Sequence, residues 1–560
     1  MRGKQAAVRL RWWVIVGSVL VLAGAAIAAE IDPVARDEQT LRDAKLATDG
    51  PALLEFFRKR TASDADPAKV KTLIRQLGDD SFEVRERASS QLVALGAPAV
   101  PYLREALKNT DIEVVRRAEE CLRRIGEGSS GALVDAAARL LAVRRPAGAA
   151  EVLLAYLPSA EDEIAAEEVR GALAALALRD GKAEPALVNA LTDKLPVRRA
   201  AAAVALLKTG LAELRPAVEK LLEDPDHTVR LAVALALADA RDKKAFPVLI
   251  ELLDELPAEK TWLIQDLLYR LAGDQAPTTA PGSDAVSRRK YRDAWADWWA
   301  KQGEKSDLAR LDPPQLHGYT MVILLDQGRL MELDAKNRPR WQIEGLQFPL
   351  DAQLLPGERV LIAEQAGNKV TERNLKGEVL WQKQVPDPLV AQRLPNGNTF
   401  IATRTQLLEL DRNGKEVFSH IPPAGELIMR AQRLPDGDLA LVVSGGNGGA
   451  SRFVRLDPTG NSERYSFPVE VHTFGGRIEV LPNRRVLVPQ MRNNRVVEHD
   501  PRGQIVWEIT VDQPIVAVRL ANGNTLVTCM AQQRAVELDR NGREVWEYKT
   551  TTRVTRAWRR

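Results

Sequence analysis

The sequence predicts a multidomain α + β chain, with an N-terminal α-solenoid of helix pairs followed by a six-bladed β-propeller closed by its C-terminal strand. Three observations carry this prediction. A Val-Arg phrase recurs through a first half rich in Ala, Leu, Glu and Arg. A turn phrase recurs six times through a second half rich in Val, Leu, Thr, Asn and Gly. The closing stretch TTTRVTRAWRR supplies a strand phrase that the first copy of the second repeat lacks.

At 560 residues the chain is too long for one core. It opens with Arg2, Lys4, Arg9 and Arg11, an apolar run WWVIVGSVLVLAGAAI and a small-residue site at Ala26-Ile27-Ala28, the pattern of a cleaved export signal over residues 1–29. The alternative is an inner-membrane anchor over residues 12–29. Either reading places the rest in the periplasm or cell envelope. The chain holds 79 basic and 76 acidic residues, so removing the four basic ones leaves 75 against 76. A near-neutral remainder gives no reason to expect nucleic acid as partner. The two cysteines, Cys121 and Cys529, fall in different halves and exclude a disulfide framework.

Residues 50–272 show apolar positions at helical spacing, as in VKTLIRQL. Above that runs a second period: EVRERA, EVVRRA, EEVRGA, PVRRAA and HTVRLA, whose valines 84, 114, 169, 197 and 229 stand 30, 55, 28 and 32 apart. A degenerate copy is expected inside the long gap. Asp80, Asp111 and Asp226 precede the second helix of their pairs and are expected to cap it. Helix pairs near a 30-residue period that bury themselves by stacking make a solenoid, and this one resembles the HEAT-repeat family. After the loop GDQAPTTAPGSDAVS, residues 284–310 place Trp295, Trp298 and Trp299 on one helix face, read as a capping helix and linker rather than a stacking platform for sugars or bases.

Over residues 316–560 the turn phrase reads LDAKNRPRW, RNLKGEVLW, LDRNGKEVF, LDPTGNSERY, HDPRGQIVW and LDRNGREVW. Its Asp or Asn falls at 334, 374, 411, 457, 500 and 539, with an aromatic seven or eight residues later. A second phrase (LPGERV, LPNGNT, LPDGDL, LPNRRV, LANGNT) marks a hairpin after a short strand whose second residue is Ala352, Ala391, Ala431, Ile478 or Ala517. Such small residues suit the inner strand of a propeller. Ala557 follows Ala517 by 40 residues, so RAWRR is expected to be the inner strand of blade 1, with Arg559 matching Arg393, Arg433 and Arg519 and Arg560 an exposed end. The second half resembles the pyrroloquinoline quinone-type repeat superfamily, in particular its arylsulfotransferase-like branch.

The loops between second and third strands and between blades gather Arg404, Gln490, Arg492, Asn493, Gln532 and Arg534, the candidate ligand-binding residues, which could form a polar pocket for an anionic or sugar-like ligand. Arg329, Lys369, Gln406, Arg452, Arg495 and Arg534, each followed in five copies by Glu332, Glu372, Glu409, Glu498 or Glu537, suggest charge pairs between neighbouring blades. The arylsulfotransferase resemblance implies a channel histidine as sulfuryl acceptor with arginine beside it. His420 and His472 are the only candidates for that catalytic role, and neither sits in the motif the resemblance implies. Quinone dehydrogenases of the superfamily have eight blades. No cofactor is expected, and no metal, since LDRNGKE lacks the distal Glu of a calcium loop. The leading expectation is an exported, non-enzymatic scaffold binding protein partners. The alternative is a propeller that binds or transforms a small anionic or aromatic ligand, with an arylsulfotransferase-like enzyme as its example.

Overall fold

The structure, a computed structural model, describes residues 32–61, 67–128, 131–257, 260–279, 284–312, 317–445 and 450–560. The export segment and residues 446–449 of the loop SGGNGGAS lie outside the described residues. Among the described residues no helix is long and apolar enough to cross a membrane.

The helical half begins earlier than residue 50. Helix Pro33–Asp43 packs on helix Gly131–Arg144, and helix Gly50–Arg58 on Gly131–Arg144 and Ala149–Tyr156. Gly131–Arg144 is the degenerate copy expected in the long gap. The stack continues through helices Glu163–Leu176, Pro196–Leu207 and His227–Asp239 around one continuous core. The first two Val-Arg copies do not join that core. Helices Pro67–Gln76, Phe82–Leu95, Val100–Ala106 and Ile112–Gly128 bury Leu77, Leu92, Val100 and Leu103 in a cluster of their own. Arg104 ties this module to the stack by donating to the carbonyls of Pro158 (3.1 Å) and Ala160 (2.8 Å).

Local chemistry explains the repeated phrase. The Asp226 carboxylate accepts from the Thr228 amide at 2.8 Å, Asp162 from Ala165 at 2.8 Å and Asp111 from Glu113 at 2.9 Å. Asp80 does not cap: Ser81 holds the N-cap position without a side-chain bond, and Asp79 accepts the Ser81 amide at 2.9 Å. The arginine after the valine reaches back to the preceding loop. Arg85 donates to the Asp79 carbonyl at 2.6 Å, and Arg230 to that of Asp224 at 3.0 Å. At the far end, helix Ala285–Gln302 buries Trp295 and Trp298 against the preceding helices. Trp295 meets Tyr269 edge-on at 5.0 Å, and Trp299 stacks on Phe246 at 4.8 Å.

The second half is a ring of six four-stranded antiparallel sheets. Five blades run inside to outside in sequence order, for example Pro349–Leu355, Arg359–Glu364, Lys369–Asn374 and Val379–Gln384 in blade 2. Blade 1 takes Val554–Arg559 as its inner strand beside Thr320–Leu324, with Ala557 opposite Val322 and Arg559 opposite Thr320. The turn Asp earns its place locally. Asp500 accepts the amides of Arg502 (3.0 Å) and Gln504 (2.9 Å), and Asp334, Asn374, Asp411 and Asp539 repeat the pair. Blade 1 uses Asn337 at φ 60° where other copies have glycine, a conformation asparagine tolerates.

Up-and-down strands put all first-to-second and third-to-fourth turns on one face, called here the turn face; the other loops form the open face. The solenoid covers part of the turn face. Arg502 forks onto Asp162 (2.6 and 2.9 Å) and reaches Asp135 at 2.9 Å. Burial pushes the Asp135 carboxyl up to about 6 against the opposing pull of Arg502. A Cβ at residue 131 would stand 2.5 Å from the Arg502 guanidinium carbon, so Gly131 leaves room for this approach and a larger residue would displace the guanidinium. Trp262 lies over Arg433 at 4.4 Å and shares with Tyr269, Arg393 and Gln432 a junction cavity of about 240 Å³.

Deleting residues 550–560 strips the inner strand from blade 1 and opens two sheet edges. The truncation is expected to lose the cooperative unfolding transition of the propeller; thermal unfolding unchanged from the intact chain would refute this.

Candidate functional site

The blades are held to one another by a repeated three-part contact on the turn-face side. A third-strand glutamate pairs with the inner-strand arginine of the next blade, and that arginine lies over the glutamate's own outer-strand aromatic. Glu372, Arg393 and Trp381 make one rung, with Glu372–Arg393 at 2.7 Å and the guanidinium 5.8 Å from the ring. Glu409–Arg433–Phe418 (3.5 and 4.7 Å), Glu498–Arg519–Trp507 (2.9 and 4.3 Å) and Glu537–Arg559–Trp546 make three more. Two seams differ in a matched way. Blade 2 has Leu354 in place of the arginine, and Glu332 instead takes Arg560 at 2.7 Å, so Arg560 is a paired residue rather than a free end. Blade 5 has Val480 there, and Arg455 replaces the glutamate of blade 4, pairing with Asp436 and with Asp438 at 2.8 Å.

Four of the five glutamates thus pair across blades, Glu332 pairing within blade 1, and none takes its partner from the neighbouring basic residues of the third strand. Those bond inside their own blades: Arg329 to Glu344 (2.6 Å), Arg452 to Glu463 (3.0 Å), Arg495 to Glu508 (2.7 Å), Arg534 to Glu547 (2.6 Å) and Gln406 to Ser419 (2.8 Å).

Closer to the axis, glutamines stitch inner strands together. Gln353 accepts the Arg393 amide at 2.8 Å and donates to its carbonyl at 3.3 Å; Gln392 repeats this with Arg433 at 3.1 and 2.9 Å. Glu479 occupies the corresponding place in blade 5, facing the Arg519 amide. Bulges in the inner strands of blades 1, 2, 4 and 6 then re-aim the residues that follow, among them Asp351, Arg430 and Arg556. Asp351 accepts the Ala391 amide at 3.1 Å and pairs with Arg477 at 3.2 Å and with Arg556.

The open-face end of the axis is closed by the segment His472–Arg477, which links blades 4 and 5. Gly475 donates to the Met429 carbonyl at 2.9 Å and Gly476 to that of Leu389 at 3.2 Å. Phe474 packs into the cluster that holds Leu325, Leu350 and Leu389. Arg404 covers that ring at 4.6 Å and pairs with Asp387 at 2.8 Å.

The other expected ligand-binding residues do not converge with Arg404. Gln490 accepts from Arg495 at 2.7 Å, Asn493 donates to Glu470 and Gln490, Gln532 donates to Asp512, and Arg534 pairs with Glu544 and Glu547. These sit on blades 5 and 6, each in local bonds, and Arg492 is exposed to solvent. His420 is not in a blade connection. It ends the outer strand Glu416–His420 and lies against Gly460 of blade 4, where burial lowers its pKa. His472 is in the closing segment and exposed. The axial arginines share the inner-strand position just before Ala431, Ile478 and Ala557, but only three of the six blades have arginine there, the others holding Asp351, Val390 and Val516, so the repeat does not single them out.

Comparisons with known proteins agree with this architecture. Residues 184–267 match the family model of HEAT repeats, and residues 450–559 match the model described as outer membrane protein assembly factor BamB. The chain joins a HEAT-type solenoid to a six-bladed propeller of pyrroloquinoline quinone-like repeats. Similar solved structures include a protein of unknown function from Bacteroides caccae, 21% identical over 34% of this chain and 72% of that one, with TM-score 0.30. Virginiamycin B lyase from Staphylococcus aureus is 14% identical over 36% and 70%, with TM-score 0.28. Hydrazine synthase of Kuenenia stuttgartiensis is 11% identical over 41% and 78%, with TM-score 0.31. Likeness at these levels carries no argument about activity. No curated protein matches the chain in sequence.

Two outcomes follow from these contacts. Glu498→Ala leaves the Arg519 guanidinium without its carboxylate in a largely buried seam, and should cost about 3 kcal/mol in a denaturant titration; a loss under about 1 kcal/mol, the size of a surface pair, would contradict the rung. Burial pushes the Glu479 carboxyl up to about 7, with Arg556, Arg477 and Arg519 pulling the other way. Between its ordinary value near 4.5 and about 7, the unfolded chain has released this proton and the folded chain still holds it. Stability should thus fall as pH rises through that window, by on the order of 3 kcal/mol in total. Glu479→Gln should flatten this slope, and an identical pH profile in the variant would rule the assignment out.

Proposed function

We propose that the protein is an exported, non-enzymatic scaffold of the cell envelope that takes a protein partner on the open face of its propeller. The observation that carries this reading is the closure of the axis at that face by His472–Arg477, with Phe474 seated in an apolar cluster. A propeller enzyme of the arylsulfotransferase kind needs a histidine and an arginine in a reachable channel. Here His420 lies at a blade seam and His472 on the outer surface. The solenoid anchored on the turn face leaves the open face as the propeller's free platform. An envelope address agrees with the basic-then-apolar residues 1–29 and with the outer-membrane description of the matched family model.

A photo-crosslinker placed at His472 or Arg492, both exposed on the open face, should give one discrete protein adduct in intact cells. The same group at Lys336, on a turn-face loop, should give none. Adducts from Lys336 alone, or turnover of an aryl sulfate abolished by changing His420 or His472, would overturn the proposal.

A further inference from the structure

Three arginines enter the propeller axis, Arg430 from blade 4, Arg477 at the start of blade 5 and Arg556 from blade 1. Arg477 is well satisfied, by Asp351 at 3.2 Å, the Gln353 side chain at 3.0 Å and the Ala391 carbonyl at 2.9 Å. Arg556 shares Asp351 with it. Arg430 has no such partner. Its side chain is 2% exposed, and among the described residues it makes no ion pair; it donates to the Thr473 hydroxyl at 2.7 Å and the Ile515 carbonyl at 2.5 Å, while its Nε is buried without a bond.

The charges do not balance. Guanidinium groups stay protonated in proteins. Against three of them stand Asp351 and Glu479, and burial favours the neutral form of the latter. Positive charge taken out of water without a counter-charge is costly.

The geometry shows where a counter-charge would sit. A carbon built on Gly476 would have only two atoms within 4 Å, the Nη1 of Arg556 at 3.7 Å and the Nη1 of Arg430 at 3.9 Å. The space beside Gly476 thus admits an atom without a clash, with two guanidinium nitrogens as its nearest neighbours. Residue 476 has φ +77°, which disfavours any side chain that would fill it. Phe474 of the same segment is half-buried and packs against the apolar cluster that holds Leu350 and Leu389.

We propose that this space is a binding site for one small oxyanion, of the phosphate, sulfate or carboxylate kind, clamped between Arg430 and Arg556. Arg430 Nη1, and Arg556 Nη1 beside its contact with Asp351, supply charge-assisted hydrogen bonds at a buried position where these are strong. The anion neutralises the surplus charge of the axis. Because Thr473 and Gly476 belong to the segment that closes the open face, occupancy fixes that segment in place. The site is distinct from the partner-binding platform proposed above and does not depend on it.

The test is equilibrium dialysis of the full-length protein against labelled phosphate, sulfate and acetate, each at the same ionic strength set with chloride. Saturable binding of one anion per chain is expected. The thermal unfolding midpoint should rise with that anion and not with chloride alone. Comparing the three arms identifies which oxyanion is preferred. Arg430→Gln and, independently, Gly476→Ala should each weaken binding at least tenfold, with the far-ultraviolet circular dichroism of the propeller retained. No saturable binding of any of the three anions, or affinity unchanged in either folded variant, would overturn the proposal.

Discussion

The propeller depends on a carboxylate of one blade meeting a guanidinium of the next over an aromatic ring. Sheets packed face to face through Val, Leu and Ile resist separation but have little to set their angular position, because apolar contact is non-directional. The Glu–Arg–aromatic rung adds direction. Its arginine is fixed by a planar fork on one side and a ring on the other, so adjacent blades meet at one register. Where the rung is absent between blades 4 and 5, both of its charged members are replaced together, by Arg455 and Val480. That joint replacement avoids leaving a glutamate or arginine stranded in the seam. The same seam carries the connection that crosses the axis, so a place where the ring departs from its repeat is also where it acquires a plug.

The rung also explains how the two halves of the chain are joined. Arg433 is sandwiched between Phe418 of the propeller and Trp262 of the solenoid, so an indole from the helical half extends a stack that begins inside the ring. Arg502 adds the second anchor, bridging Asp135 and Asp162 from two successive helix pairs. Both anchors are arginines of the propeller's turn face, and both meet groups presented by the ends of solenoid helices. The two anchors fix the orientation of the solenoid on a face whose loops are short, hydrogen-bonded turns.

What the amino-acid sequence revealed was what repeats. The turn Asp was legible because its partners are its own neighbours, two and four residues on. The closing strand was legible because Ala557 keeps step with Ala517. The rung was half legible: its glutamates recur, yet their partners lie about twenty residues further on in another blade, and the nearer basic residue of the same strand was the more obvious choice. Arg393, Arg433, Arg519 and Arg559 share a strand position, and that was the available signal. The division of the helical half was hidden because the module of residues 67–128 keeps the same Val-Arg phrase as the main stack. The axis was hidden for the opposite reason. The strand position that holds Asp351, Arg430, Arg477 and Arg556 is valine in blades 3 and 6, so no single residue type marks it, and the bulges that turn Asp351, Arg430 and Arg556 inward leave no mark in the sequence.

The closing strand imposes an order of events on folding. Arg559 pairs with Thr320, 239 residues earlier in the chain. Every other blade can assemble from a contiguous stretch, whereas blade 1 must wait for a segment made after all five of its fellows. Until then the strand Thr320–Leu324 carries an unpaired edge, and the arginine-bearing end that completes the last seam is missing. Such a long-range contact makes closure slow relative to blade formation. The chain therefore passes through an open ring whose exposed edge is a natural target for a chaperone, or for another unfinished copy of the same protein.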